Sequence, residues 1–206
     1  MKMYKKYLLW DFDNTLAYRK GMWTQTIYEL LQEEGITSIK LEDIRPYLST
    51  GFPWHTPELS HEEFSKGTSW WDYMNSHFSK IIIKLGVEEV LANKVSSQIK
   101  ERYLDATRWS LYEDTIPCLI KAKEYGYENI IVSNHVPELE ELVLKLGLSQ
   151  FFSKIYISAK LGFEKPNINI YKKVLSELDD TRYATMIGDN YKADVEGAMK
   201  AGLKQF

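Results

Sequence analysis

Apolar residues fall into two rhythms along this chain of 206 residues, one continuous and one helical. Tyr7, Leu8, Leu9 and Trp10 form an unbroken apolar run with the length of a buried strand, and the run stops abruptly at Asp11. Between positions 18 and 109 the spacing turns helical, and no run there is long enough to extend a sheet. Trp23, Ile27, Leu30 and Leu31 share one helix face, with Gly35 placed to end it. Ser60 with Glu63 has the spacing of a capping box, and Ser69 with Asp72 opens a helix carrying Trp71, Met74, Phe78, Ile81 and Ile82. Gly86 closes that helix, and Val87, Leu91, Val95, Ile99 and Tyr103 line the next. Pro46, Pro53, Trp54 and Pro57 lie in a stretch without Gly/Ser flexibility, which reads as an ordered loop. From Leu111 onward the pattern alternates. Pro117 opens a helix that Gly126 follows, and strands at 129–132, 154–158 and 184–187 alternate with helices at 137–146 and 168–178. Units of this size predict an α/β fold, a parallel sheet flanked by helices with right-handed crossovers.

Composition narrows the function classes. With 44% hydrophobic residues the chain can furnish a proper core, and a net charge of −3 gives no basic footprint for nucleic acid or an anionic membrane. Any phosphate must therefore be met by local groups. Cys118 is the single cysteine, so no intramolecular disulfide forms. Neither a secretory apolar region nor a spanning run is present at the N-terminus, and a cytoplasmic location is expected. The four histidines show no zinc-ligand spacing.

The candidate chemistry sits at strand ends. Asp11 and Asp13 are two apart, so extended backbone turns them to the same side at the carboxyl end of the first strand. Two like charges so close call for a cation, a proton relay or both. Ser133 and Asn134 follow the strand at 129–132, while Asp189 follows the one at 184–187, with Asp194 beyond it. In a parallel sheet these ends share one edge, where open α/β sheets bind ligands.

Four motifs in order carry a resemblance: Asp11-Phe12-Asp13-Asn14-Thr15, Ser133-Asn134, Glu164-Lys165-Pro166-Asn167, and Gly188-Asp189 with Asp194. Together they are similar to the motifs of the haloacid dehalogenase (HAD) superfamily, and they span the chain. The resemblance implies a three-layer Rossmann-like core with a parallel sheet, built from residues 1–17 and 110–206. The insertion at 18–109 resembles the all-helical cap domain of the first subfamily. Many relatives continue into another strand after the helix that Gly202 ends, whereas this chain runs only to Phe206.

Function follows from the same resemblance. It implies an Mg²⁺-dependent phosphatase that hydrolyses a small organic phosphate monoester through an aspartyl phosphate. Asp11 would be the nucleophile and Asp13 the general acid and base, whose main-chain carbonyl also serves the metal. Asp189 would complete the Mg²⁺ site with Asp11, and Asp194 would support it at greater distance. Ser133 and the amide at Asn134 would hold the phosphate oxygens, with Lys165 as the fixed positive charge. A phosphomutase, a dehalogenase or a non-catalytic phosphate-ligand module are the alternatives. Asp13 disfavours the dehalogenase, since relatives that cleave carbon–halogen bonds usually lack that acid. Specificity falls to the insertion, where Trp54 and Trp70 are candidate substrate contacts, and to His135, which either reaches the leaving group or fills space. A monomer or homodimer acting on a small phosphorylated molecule, without nucleic acid or membrane partners, is expected.

Overall fold

Strand β1 (Lys6–Trp10) lies in the middle of the sheet in the computed structural model, which describes residues 5–205. A tight turn follows it, with Asn14 at φ 59° and the Phe12 carbonyl accepting from Leu16 and Ala17. The chain then makes β2 (Ala17–Arg19) and four helices: α1 (Met22–Glu33), the short α2 (Leu41–Ile44), α3 (Ser69–Lys84) and α4 (Glu89–Tyr103). It returns through β3 (Trp109–Leu111), antiparallel to β2. After that come α5 (Thr115–Glu124), β4 (Tyr127–Ser133), α6 (Leu139–Lys145), β5 (Phe152–Ile157), the short α7 (Ser158–Leu161), α8 (Ile168–Leu175), β6 (Ala184–Ile187), α9 (Gly197–Lys200) and β7 (Lys204–Gln205).

The main sheet has the order β5-β4-β1-β6-β7, and each adjacent pair is parallel. Alternate residues of its strands feed two separate apolar clusters. Tyr7, Leu9, Ile130, Val132 and Met186 face Ile170, Tyr171, Val174 and Ala198 of α8 and α9. Leu8, Trp10, Ile131 and Ile157 face the other way, towards Leu119 of α5 and Leu139, Leu142 and Val143 of α6. Helices on both faces explain why β1 is apolar at each position from Tyr7 to Trp10 rather than at every second one. The three layers expected from the sequence are present.

The second cluster continues without a break into the helical insert, through Trp23, Ile27, Met74, Phe78, Val95, Ile99 and Tyr103. All the apolar positions assigned to α1 and α3 from the sequence are buried, but Trp70 is buried as well, so the α3 stripe is wider than its spacing predicts. Two local expectations differ. Positions 17–19 and 109–111 form a ribbon of two short strands, too short to show a period of two. Ser60 and Glu63 make no capping box; Ser60 Oγ donates to Glu62 Oε2 and the chain takes a 3₁₀ turn over Glu62–Ser65. Among the described residues no helix is long and apolar enough to cross a membrane.

Candidate active site

Because β1 is flanked by β4 and β6, the carboxyl ends of these three strands deliver Asp11, Ser133 and Asp189 to one place. Asp11 is buried, and its Oδ1 accepts from Ser133 Oγ at 2.7 Å and lies 2.9 Å from Lys165 Nζ. The same ammonium lies 2.6 Å from Asp194 Oδ1, whose Oδ2 accepts from the Asn190 amide at 3.0 Å. Burial opposes the charge of Lys165, but the Asp11 and Asp194 carboxylates outweigh it and hold the ammonium above the usual lysine range. Lys165 is therefore cationic at any physiological pH.

One carboxylate oxygen each from Asp11, Asp189 and Asp194 lie within 4.8 Å of one another. Three carboxylates against one lysine leave an excess of two negative charges, and burial together with Asp11 and Asp194 raises the Asp189 carboxyl above the usual range. Oxygen donors of this kind and charge suit a hard divalent cation and not zinc or copper. Asp194, expected as a distant support, belongs to this cluster. It is admitted by Gly188: a Cβ there would stand 2.1 Å from Asp194 Oδ2. Gly188→Ala is expected to lower stability by ~1–3 kcal/mol, through overpacking that displaces Asp194, as read by thermal unfolding. An unchanged midpoint would show that the turn relaxes freely.

Lys165 owes its place to Asn134. The Lys165 amide donates to Asn134 Oδ1 at 2.7 Å, and Asn134 Nδ2 donates to the Lys165 carbonyl at 2.9 Å, a two-way clamp between the end of β4 and the lysine loop. The side chain of Asn134 is thus committed to the protein, and only its main-chain amide is left for the phosphate role expected of it. No spacing in the sequence announces this clamp, since its halves are 31 residues apart.

Asp13 sits at the rim and points towards His135, with Oδ1 3.6 Å from Nε2. Both atoms are buried without a hydrogen-bond partner among the described residues. Burial first, and then the charges of Asp11 and Asp189, push the Asp13 carboxyl well above the usual range, against the pull of Lys165. His135 is fully buried, and burial pulls its imidazole down to about 4, so the ring is neutral. Its Nδ1 lies 3.3 Å from the Val136 carbonyl and donates there, leaving Nε2 as an acceptor facing Asp13. Phe12, Tyr103 and Trp109 surround the ring at 5.6–5.9 Å between centroids. An aromatic box from three elements fixes a histidine next to a carboxyl that burial holds well above its usual range.

The tryptophans of the insert pack largely against other rings. Trp70 is 1% exposed, with its ring against Trp71 at 4.8 Å and Trp54 at 6.4 Å. Trp54 is half-buried and stacks on Phe52 at 4.6 Å. The tryptophan that reaches across is Trp71: its Nε1 donates to Glu138 Oε2, just after β4, at 2.8 Å, and Lys100 pairs with the same carboxylate. A second bridge joins His61 to Glu164, beside Lys165, at 2.5 Å. Sequence reasoning assigned no role to Trp71, His61 or Glu164 at the site, because each contact joins segments far apart in the chain.

Comparison with known proteins agrees with this architecture. Residues 8–206 match the family model described as haloacid dehalogenase-like hydrolase. The pyrimidine 5′-nucleotidase PynA of Streptococcus pneumoniae is 26% identical over 98% of this chain and 82% of its own length. A glyceraldehyde 3-phosphate phosphatase of Methanothermobacter thermautotrophicus is 32% identical, over 45% of this chain and only 42% of that relative. The magnesium-bound HAD-hydrolase YfnB of Bacillus subtilis shares the fold with a TM-score of 0.72 at 21% identity, covering 99% of this chain and 88% of that one. A 2-haloacid dehalogenase of Pseudomonas syringae aligns at 0.70 and 18% identity, covering 98% of this chain and 85% of its own, so the fold alone does not choose the bond that is broken. A buried carboxylate held by serine and lysine at the end of a central strand, the ordered motifs that supply it, and a family match over nearly the whole chain lead to one statement: this protein belongs to the haloacid dehalogenase-like hydrolase family.

Proposed function

We propose that the protein is a phosphatase acting on small organic phosphate monoesters, with Asp11 as nucleophile and Asp13 as general acid and base. The observation that carries this reading is the contrast between two aspartates: Asp11 is held in place by Lys165 and Ser133, while burial and neighbouring charge hold the Asp13 carboxyl well above the usual range, which suits it to give a proton. Attack by an Asp11 oxygen on phosphorus forms the aspartyl phosphate as the bond to the leaving oxygen breaks. Asp13 passes its proton to that oxygen. In the second half Asp13, now a carboxylate, removes a proton from water; the water oxygen attacks phosphorus and the bond to Asp11 breaks, releasing phosphate. Lys165 and Ser133 hold Asp11 and lie where developing charge on the transferring oxygens is stabilised.

The carboxylates of Asp11, Asp189 and Asp194 fit Mg²⁺ as the ion held there, and the family resemblance adds the main-chain carbonyl of Asp13. When bound, the ion neutralises the repulsion between a carboxylate and a phosphate dianion. The pyrimidine nucleotidase and glyceraldehyde 3-phosphate phosphatase names among the relatives support a phosphate monoester as the substrate class. The insert at 18–109 then serves as a cap over a core made of 1–17 and 110–206, its apolar walls excluding water.

Metal dependence is directly measurable. Mg²⁺ added to chelated protein should restore hydrolysis and raise the thermal midpoint, by the equivalent of ~2.7 kcal/mol when the ion is at about a hundred times its Kd. Asp189→Asn should abolish that thermal shift. Full activity after exhaustive chelation would overturn the metal assignment, and a phosphate panel with wild-type protein tests the substrate class.

A further inference from the structure

The loop that carries Lys165 is gripped from two sides. On the sheet side stands the Asn134 clamp. On the other side lies the segment of the insert around positions 56–65. His61 donates its main-chain N–H to the Gly162 carbonyl at 2.8 Å, and Asn167 Nδ2 donates to the Pro57 carbonyl at 2.7 Å. Gly162, at φ 74°, has no room for a side chain, since a Cβ would stand 2.6 Å from Glu62 Cα. Between these contacts is the side-chain bridge: His61 Nδ1 to Glu164 Oε2 at 2.5 Å, with the two residues 6% and 1% exposed. Thr56 Oγ1 meets the other ring nitrogen at 3.3 Å, and Phe64 stacks on the imidazole at 5.9 Å.

A carboxylate as buried as Glu164 requires a partner. Its partner comes from the insert, not from the sheet, and the next residue is the lysine that holds Asp11. We infer that His61 is a positioning residue for the reaction: by binding Glu164 it fixes the Glu164-Lys165 segment, so that the ammonium reaches Asp11 only while the insert is seated on the lysine loop. Closure of the insert thereby completes the catalytic centre as well as covering it. This rests on the phosphatase reading given above for its kinetic consequence, though not for the contact itself.

The test uses His61→Phe, which removes the donor, and His61→Asn, whose amide can occupy the place of Nδ1. Single-turnover hydrolysis of nitrophenyl phosphate with Mg²⁺ should fall about 10- to 100-fold in His61→Phe, the scale of an ångström-sized misplacement of a reacting group. His61→Asn should recover most of that loss. In a Lys165→Met background His61→Phe should cost nothing further, because the group it positions is gone. Amide hydrogen exchange over 161–167 should quicken in His61→Phe and not in His61→Asn, with thermal melts confirming that both variants are folded. Equal losses with and without Lys165, or equal losses for Phe and Asn, would overturn the inference. Unchanged exchange over 161–167 would overturn it whatever the activity, whereas a wild-type protein inert towards every phosphate ester tested would overturn the phosphatase reading instead.

Discussion

Asp11→Asn is expected to remove turnover by roughly 10⁴- to 10⁶-fold while leaving the protein folded. The substitution keeps the shape of the side chain and an oxygen that can accept from Ser133, and Lys165 retains Asp194 as a partner. What disappears is the nucleophilic carboxylate. Stability should change little, within about 1 kcal/mol, since one member of a crowded group of carboxylates has been neutralised. Single-turnover rates and circular dichroism on the same preparation decide the matter. A folded variant that hydrolyses like wild type would mean that the phosphoryl group never passes to Asp11.

Asp13→Ala should divide substrates by leaving group. An alkyl phosphate, whose alkoxide needs a proton as it departs, should lose on the order of 10²- to 10⁴-fold, and a nitrophenyl phosphate much less. The pH profile carries the same information. In the wild type, burial and the neighbouring Asp11 charge hold the Asp13 proton well above the usual carboxylate range. Alkyl phosphate cleavage should therefore decline as pH rises past that raised value, and the decline should vanish in Asp13→Ala. Equal losses on both substrates would assign Asp13 to geometry rather than to proton transfer.

The strands, the parallel sheet and the strand-end aspartates were legible because they rest on short-range patterns. A run such as Tyr7 to Trp10 buried on both faces, and carboxylates that follow a strand directly, leave a local trace. The Asn134 clamp on Lys165, the neutral His135 against Asp13 and the His61–Glu164 bridge leave none, since each depends on which distant segments come to lie together. The tryptophans illustrate the middle ground. Helical spacing placed Trp71 on the apolar stripe correctly, yet it is Trp71, through its indole N–H, that also bonds Glu138 beyond β4, while Trp70 is packed among rings. Periodicity reports that a side is covered; it does not report by what.

The central place of β1 also bears on how the chain is made. Its partners are β4 and β6, with Tyr7 pairing to Ala184, so β1 waits for a strand made long after it. At usual elongation rates the interval is roughly ten to thirty-five seconds. During that time α3 and α4, neighbours in sequence, can pack together, while β1 can pair with β4 but keeps its other edge unpaired until β6 is made. Nascent chains stalled before residue 184 should accordingly bind chaperones through the β1 segment, and release should coincide with the emergence of β6.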